Sequence, residues 1–385
     1  MENFIYYNPT RIYFGQGQIT QLSHAIAKDQ KVLLIYGGGS IKQNGVYDQV
    51  KTALTDHQVT EFSGIKPNPE YETCLKAVEL IKQNNIDFVL AVGGGSVIDA
   101  TKFIVAAAKF KGDAWDILAK HADITDAVPF GCVLTLPATG SEMNSGSVIS
   151  RRALNKKLAF MHEKVFPVFS ILDPKTTYTL PARQVANGVV DAFVHVMEQY
   201  LTYPQNAQLQ DRFAEGILST LIEEGEKVLT QPNDYDVRAN IMWAATLALN
   251  TLIAQGVKTD WATHMIGHEL TAFYGLDHAQ TLAIILPSIM EYKKNKKQAK
   301  LIQYAERVWQ VDKALDAETK VQIAIEKTRA FFEKMGNPTK ISAYQLTQDK
   351  FDDIINNLKD NGLTALGEHA DITPEDSLKI LQMSY

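Results

Sequence analysis

Cysteine is nearly absent from this 385-residue sequence, which holds only Cys74 and Cys132, in unrelated contexts and without CxxC spacing. Neither a disulfide framework nor a thiolate metal site is therefore indicated, and both residues read as small core or surface positions. Long apolar runs are missing as well. Segments such as 103–108 and 282–286 fall well short of the roughly 18 residues that cross a bilayer, and the N-terminus has no basic-then-apolar signal pattern. A cytoplasmic protein without a membrane partner is expected. Positive charge is scarce: 38 Lys and Arg stand against 44 Asp and Glu, for a net charge of −6. No local cluster of basic residues interleaved with aromatics compensates, so nucleic acid is not an expected partner.

What the chain does have is an ordinary globular composition, with 45% hydrophobic and 21% charged residues, at a length that favours two domains over one core. Its first half alternates short apolar runs with helical patterns. Strands are expected at 31–36, 88–92 and 131–136, with helices at 46–54 and 97–109, which is the signature of a parallel sheet covered by helices on both faces. From Pro181 onward the pattern is helical only, with amphipathic stretches at 183–201, 208–229, 238–255 and 262–273. Near the C-terminus, Thr373 and Pro374 fit the N-cap and first position of a last helix. The expected organisation is an α/β domain over 1–180 and an all-helical domain over 181–385, meeting without a linker and leaving a cleft.

Two glycine loops follow predicted strands. Gly93, Gly94, Gly95 and Ser96 precede a helix rich in alanine, so backbone N–H groups and the helix N-terminus can receive a diphosphate. The same three glycines also suit a tight strand-to-helix turn with no ligand. Gly37, Gly38, Gly39 and Ser40 form the earlier loop, and neither loop has the spacing GxGxxG of an ordinary Rossmann unit. The earlier loop carries no acidic side chain to bond a ribose 2′-hydroxyl and repel a 2′-phosphate. With Lys42 nearby it should admit NADP, although Lys42 reads equally well as a solvated surface charge.

The remaining signal is a carboxylate among imidazoles. Asp191 and His195, at i and i+4, share one face of a helix whose other members include Val189, Val190, Phe193 and Val194. A carboxylate on so apolar a helix needs a cation or good donors, and a simple Asp–His hydrogen bond would also answer. His264 and His268 repeat the spacing, and His278 follows the turn Gly275-Leu276-Asp277. One carboxylate with two or three imidazoles suits Zn or Fe and leaves room for a substrate oxygen. His268 need not be a ligand, which leaves it able to relay a proton or to serve as a hydrogen-bonded core histidine.

These residues, with Asn8-Pro9-Thr10-Arg11, Tyr36 to Ser40, Lys66-Pro67-Asn68-Pro69, Gly93 to Asp99 with Lys102, and Leu136 to Glu142, give a sequence that resembles the iron-containing alcohol dehydrogenase family along its whole length. The segments from Gln184 to His195 and from Trp261 to Leu270 extend the likeness, which is strongest to the bacterial branch of NADPH-dependent aldehyde reductases, also called butanol dehydrogenases. The resemblance implies a dehydroquinate synthase-like architecture, a homodimer, and reversible hydride transfer between NADPH and aldehydes, and the mostly apolar helices around Asp191 and His264 fit short aliphatic ones. It implies Asp191, His195, His264 and His278 as ligands of one divalent ion. It also implies contacts to NADP from Gly38 and Ser40 at the 2′-phosphate, and from Asn68, Gly94, Gly95, Ser96 and Asp99 at the diphosphate and ribose. Thr135, Thr139, Asn144, Lys157 and Tyr178 would lie further along the cofactor. Two departures are visible: the acidic residue of NAD-using members is missing from the first loop, and Ala279 follows the last histidine where many members have glycine.

Overall fold

The computed structural model describes residues 1–385, which divide into two compact units. One comprises Tyr7–Pro181 and Asn233–Met242, the other Met1–Tyr6, Ala182–Pro232 and Trp243–Tyr385. None of the helices is long and apolar enough to cross a membrane.

The first unit is built on a parallel sheet of six strands: β1 (Arg11–Phe14), β2 (Lys31–Tyr36), β3 (Gln58–Phe62), β4 (Phe88–Gly94), β5 (Phe130–Leu136) and β8 (Phe169–Leu172). Their order across the sheet is β1-β8-β5-β4-β2-β3. Side chains alternate between two buried faces, so Leu33 and Ile35 join one core with Val89 and Ala91 while Val32 and Leu34 join another with Leu90 and Val92. Burial on both faces explains why the central strands read as unbroken apolar runs, each Val, Leu or Ile contributing roughly 1.5–3 kcal/mol. β6 (Gly146–Arg151) and β7 (Lys156–Met161) form a separate antiparallel pair.

The sheet reverses its winding between β2 and β4. β2 pairs with β3 on one side and with β4 on the other, and Tyr36 lies directly beside Val92. The glycine loops that follow these residues are therefore neighbours at the carboxyl ends of adjacent strands, the switch point where ligands of open α/β sheets bind.

The second unit is helical, as its periodicity predicts. The helix Ala182–Tyr200 packs beside Gln208–Thr230, where Gly225 lets the chains approach: a Cβ there would stand 2.9 Å from Val189. The helices Ala262–Tyr274 and His278–Tyr292 follow, with Gly267 at their crossing, where a Cβ would meet Thr281 at 3.0 Å. The last helix, Pro374–Met383, does begin after Thr373, whose hydroxyl accepts from the Asp376 N–H. The expected helix at 238–255 is shorter, running Tyr235–Ala248, and its residues up to Met242 belong to the sheet unit and not to the helical one. The Asn250 side chain accepts from the Leu252 N–H and offers the backbone a turn in place of another helical step.

Candidate active site

Asp191 and His195 sit one turn apart on Ala182–Tyr200, His264 in the first turn of Ala262–Tyr274, and His278 at the first position of His278–Tyr292. The first turn of that last helix is fixed locally: the Asp277 N–H donates to the Gln280 side chain, and Asn187 Nδ2 donates to Asp277 Oδ2 at 3.0 Å. The result brings one donor atom from each of Asp191, His195, His264 and His278 within 4.8 Å of one another. His195 Nε2 lies 3.7 Å and His278 Nε2 3.5 Å from Asp191 Oδ1, and the His195 and His264 rings are 4.8 Å apart.

This donor set fits a divalent cation. A carboxylate and three imidazoles are hard-to-borderline ligands for Zn or Fe, and close packing of their polar atoms in a buried place calls for positive charge between them. The wider surroundings strengthen the case. Asp191, Glu198, Asp260 and Glu368 are four largely buried carboxylates in this region, and the buried Lys297 ammonium bonds only two of them, Asp260 and Glu368. Burial pushes the Glu198 and Glu368 carboxyls up, and Asp260 pushes both in the same direction. A bound cation offsets such an excess of negative charge.

His268 is brought to the edge of the same cluster without joining it. It is buried, its ring 5.2 Å from that of His278 and 6.2 Å from that of His264. A residue not anticipated is Glu198, one turn beyond His195 on the same face of the helix. Its Oε1 accepts from both the backbone N–H (2.9 Å) and ring Nδ1 (3.0 Å) of His264. The i+7 spacing from Asp191 was the available signal.

In the sheet unit, the two loops have different reasons for their glycines. At Gly93, Gly94 and Gly95 a Cβ would stand 2.5–2.9 Å from Val97, Leu136 and Thr139, so packing alone demands glycine. The helix Gly95–Lys109 then starts without any side-chain cap, presenting its first N–H groups as an anion site. At Gly38, by contrast, a Cβ would meet nothing within 4 Å and φ is not positive, so the fold itself makes no demand for glycine. The backbone at Gly38 is thus left open to close approach from outside the fold. The exposed Lys42 ammonium lies over the rings of Tyr36 (5.2 Å) and Tyr47 (4.7 Å). A carboxylate does stand near these tyrosines: Glu61 accepts from Tyr36, Tyr47 and Lys51 and so is engaged within the protein.

Other expected cofactor residues have definite places. Asn68 adopts a positive φ of 53° in the loop before the helix Tyr71–Asn84, and Ser96 lies in the first turn of Gly95–Lys109. Thr135 is buried near the end of β5, Lys157 lies on β7, and Tyr178 follows a short helical turn, with burial raising its phenol. Asp99 and Asn144 face inward: Asp99 accepts from the Ser141 hydroxyl (2.5 Å) and the Val148 N–H, while Asn144 Oδ1 accepts from Lys102. Lys102 is fully buried and donates to Ser141, Asn144 and the Gly146 carbonyl at 2.7–2.8 Å, fixing the loop that carries Thr139. Burial pulls its ammonium down to about 8.

Comparison with known proteins covers both units. The profile described as iron-containing alcohol dehydrogenase matches residues 9–174, and that of the Fe-containing alcohol dehydrogenase family, C-terminal, matches residues 185–385. The chain is 56% identical over 385 residues to the NADPH-dependent aldehyde reductase YqhD of Escherichia coli, covering 99% of each chain. It is 43% identical over 388 residues to a probable NADH-dependent butanol dehydrogenase 1 of Bacillus subtilis, covering both chains fully. A crystal structure of E. coli K-12 YqhD superposes with a TM-score of 0.98 at 55% identity, over 100% of this chain and 99% of that one.

Proposed function

Because this chain belongs to the iron-containing alcohol dehydrogenase family, we propose that it is an NADPH-dependent aldehyde reductase. It would act reversibly on short aliphatic aldehydes and primary alcohols such as butanol. The observation that carries the reading is the convergence of Asp191, His195, His264 and His278, the donor set a Lewis-acidic oxidoreductase requires. When bound, a divalent ion held by these four polarises the aldehyde carbonyl, and NADPH supplies the hydride.

The rest of the work falls to the chain's own groups. Asp191 neutralises part of the ion's charge, and the imidazoles leave room for a substrate oxygen. The N–H groups opening Gly95–Lys109 bind the diphosphate, while Gly38 and Ser40 admit the 2′-phosphate. His268 holds the proton that the product oxygen takes up, relaying it through its imidazole. The relatives bear names with both nicotinamides, NADPH for the E. coli protein and NADH for the B. subtilis one. The absence of an acid at positions 37–40 favours NADPH here. The reading includes a homodimer in the cytoplasm, supported by the family resemblance and checked by sedimentation.

Purified enzyme supplied with butyraldehyde should oxidise NADPH at least ten times faster than NADH at matched concentrations. No cofactor oxidation across a panel of aldehydes, with metal bound, would overturn the assignment.

A further inference from the structure

Glu198 is nearly fully buried, yet nothing in the chemistry above uses it. Its surroundings are specific. Oε2 accepts from the Trp261 N–H at 3.1 Å, and Oε1 accepts from two donors of one residue, the backbone N–H and the ring Nδ1 of His264. Trp261 has a φ of +71°, a left-handed conformation that a bulky side chain adopts only when its surroundings hold it there. Glu198 therefore caps the helix Ala262–Tyr274 from a different helix and at the same time grips the imidazole that this helix carries.

The carboxylate is itself braced. The Glu198 carbonyl accepts from the Asp260 N–H at 2.8 Å, Asp260 Oδ1 accepts from the Ala262 N–H, and Asp260 Oδ2 accepts from Lys297. Lys297 also donates to Glu368 and to the Leu201 carbonyl, so two helices and the segment around Glu368 converge on one ammonium. Such an arrangement leaves His264 little rotational freedom. An imidazole that donates from Nδ1 must present Nε2 as its ligand atom, and a carboxylate partner makes that nitrogen a stronger donor.

We propose that Glu198 is a positioning residue for the metal centre: by fixing the tautomer and tilt of the His264 ring, it sets the affinity of the four-ligand site. The inference rests on the reading of Asp191, His195, His264 and His278 as a metal site.

The test is a competition titration of the stripped full-length chain with Zn(II) against a chromophoric chelator, comparing wild type with Glu198→Gln. Glutamine keeps an acceptor for the His264 amide but removes the charge. The variant should bind Zn(II) about 10- to 100-fold more weakly, the loss usual for an outer partner of a ligating histidine. Its Co(II) complex should show an altered ligand-field spectrum; the metal-free unfolding midpoint also falls somewhat, because an amide nitrogen cannot accept from the Trp261 N–H. A lower metal-free midpoint with unchanged Zn(II) affinity would make Glu198 merely a helix cap and overturn the proposal. Should the stripped Gln variant fail to fold, Glu198→Asp takes its place, since it keeps the charge but withdraws it from the ring by one methylene. The same loss of affinity is expected, and undiminished affinity is equally fatal. Wild type that binds no Zn(II) or Fe(II) would instead overturn the site reading beneath it.

Discussion

Gly38 is a glycine that the surrounding protein does not require, since a side chain there would enter open space at an ordinary φ. Gly38→Asp should therefore fold normally while placing a carboxylate where a 2′-phosphate is proposed to lie. The expected outcome is a rise of about tenfold or more in KM for NADPH, with a smaller change for NADH, as like-charge juxtaposition imposes. Unchanged KM for NADPH would remove this loop from the 2′-phosphate site. His268 stands beside the proposed ligands, its ring 5.2 Å from that of His278. His268→Ala should lower kcat by about 10²-fold, the smaller end of what general acid–base catalysis contributes, with metal content intact. Loss of the metal in that variant would make His268 a ligand. Asp191 and His195 could be paired from the sequence because a helix makes i and i+4 neighbours. Glu198 could not be linked to His264 in the same way, because its partner lies 66 residues away and meets it only through helix packing.

The elements most legible in the sequence were those whose burial is uniform. β2, β4 and β5 appeared as apolar runs because both faces of each are covered, and the helices around Asp191 and His264 kept a clear period. β1 and β3 passed unnoticed because they are edge strands whose residues are mostly half-buried or exposed, and β8 because four residues are too few to show a pattern. The 146–161 hairpin is likewise half polar. Lys102 joins the helix Gly95–Lys109 to that hairpin and to the loop before it. Replacing it with Met leaves three buried acceptors without their donor and should cost about 2–4 kcal/mol, read from urea midpoints. The pH dependence has a definite sign. Folding lowers this lysine from 10.5 to about 8, so between those values the unfolded chain carries the extra proton. Stability from this site is therefore lowest below about pH 8 and rises as pH climbs through 10.5. Lys102→Met should flatten that rise, and a variant that tracks wild type across the window would contradict the account.

At the scale of the whole molecule, the division of labour follows from the two architectures. A parallel sheet brings two loops together at the carboxyl ends of adjacent strands, and a helical unit brings one carboxylate and three imidazoles within 4.8 Å. Pairing of the loops was hidden in the sequence, since strand order is set by crossovers and not by any local pattern. A divalent ion that binds the folded chain and not the unfolded one should also stabilise it, by about 2.7 kcal/mol at a hundredfold excess over Kd. Stripped enzyme should accordingly melt several degrees lower and recover on adding Zn(II) or Fe(II). The most direct measurement follows NADPH oxidation with butyraldehyde in one preparation as purified, after exhaustive chelation, and after the ion is restored. The account predicts activity, its near-complete loss, and its return in proportion to metal bound. Undiminished turnover by verified metal-free protein would contradict it.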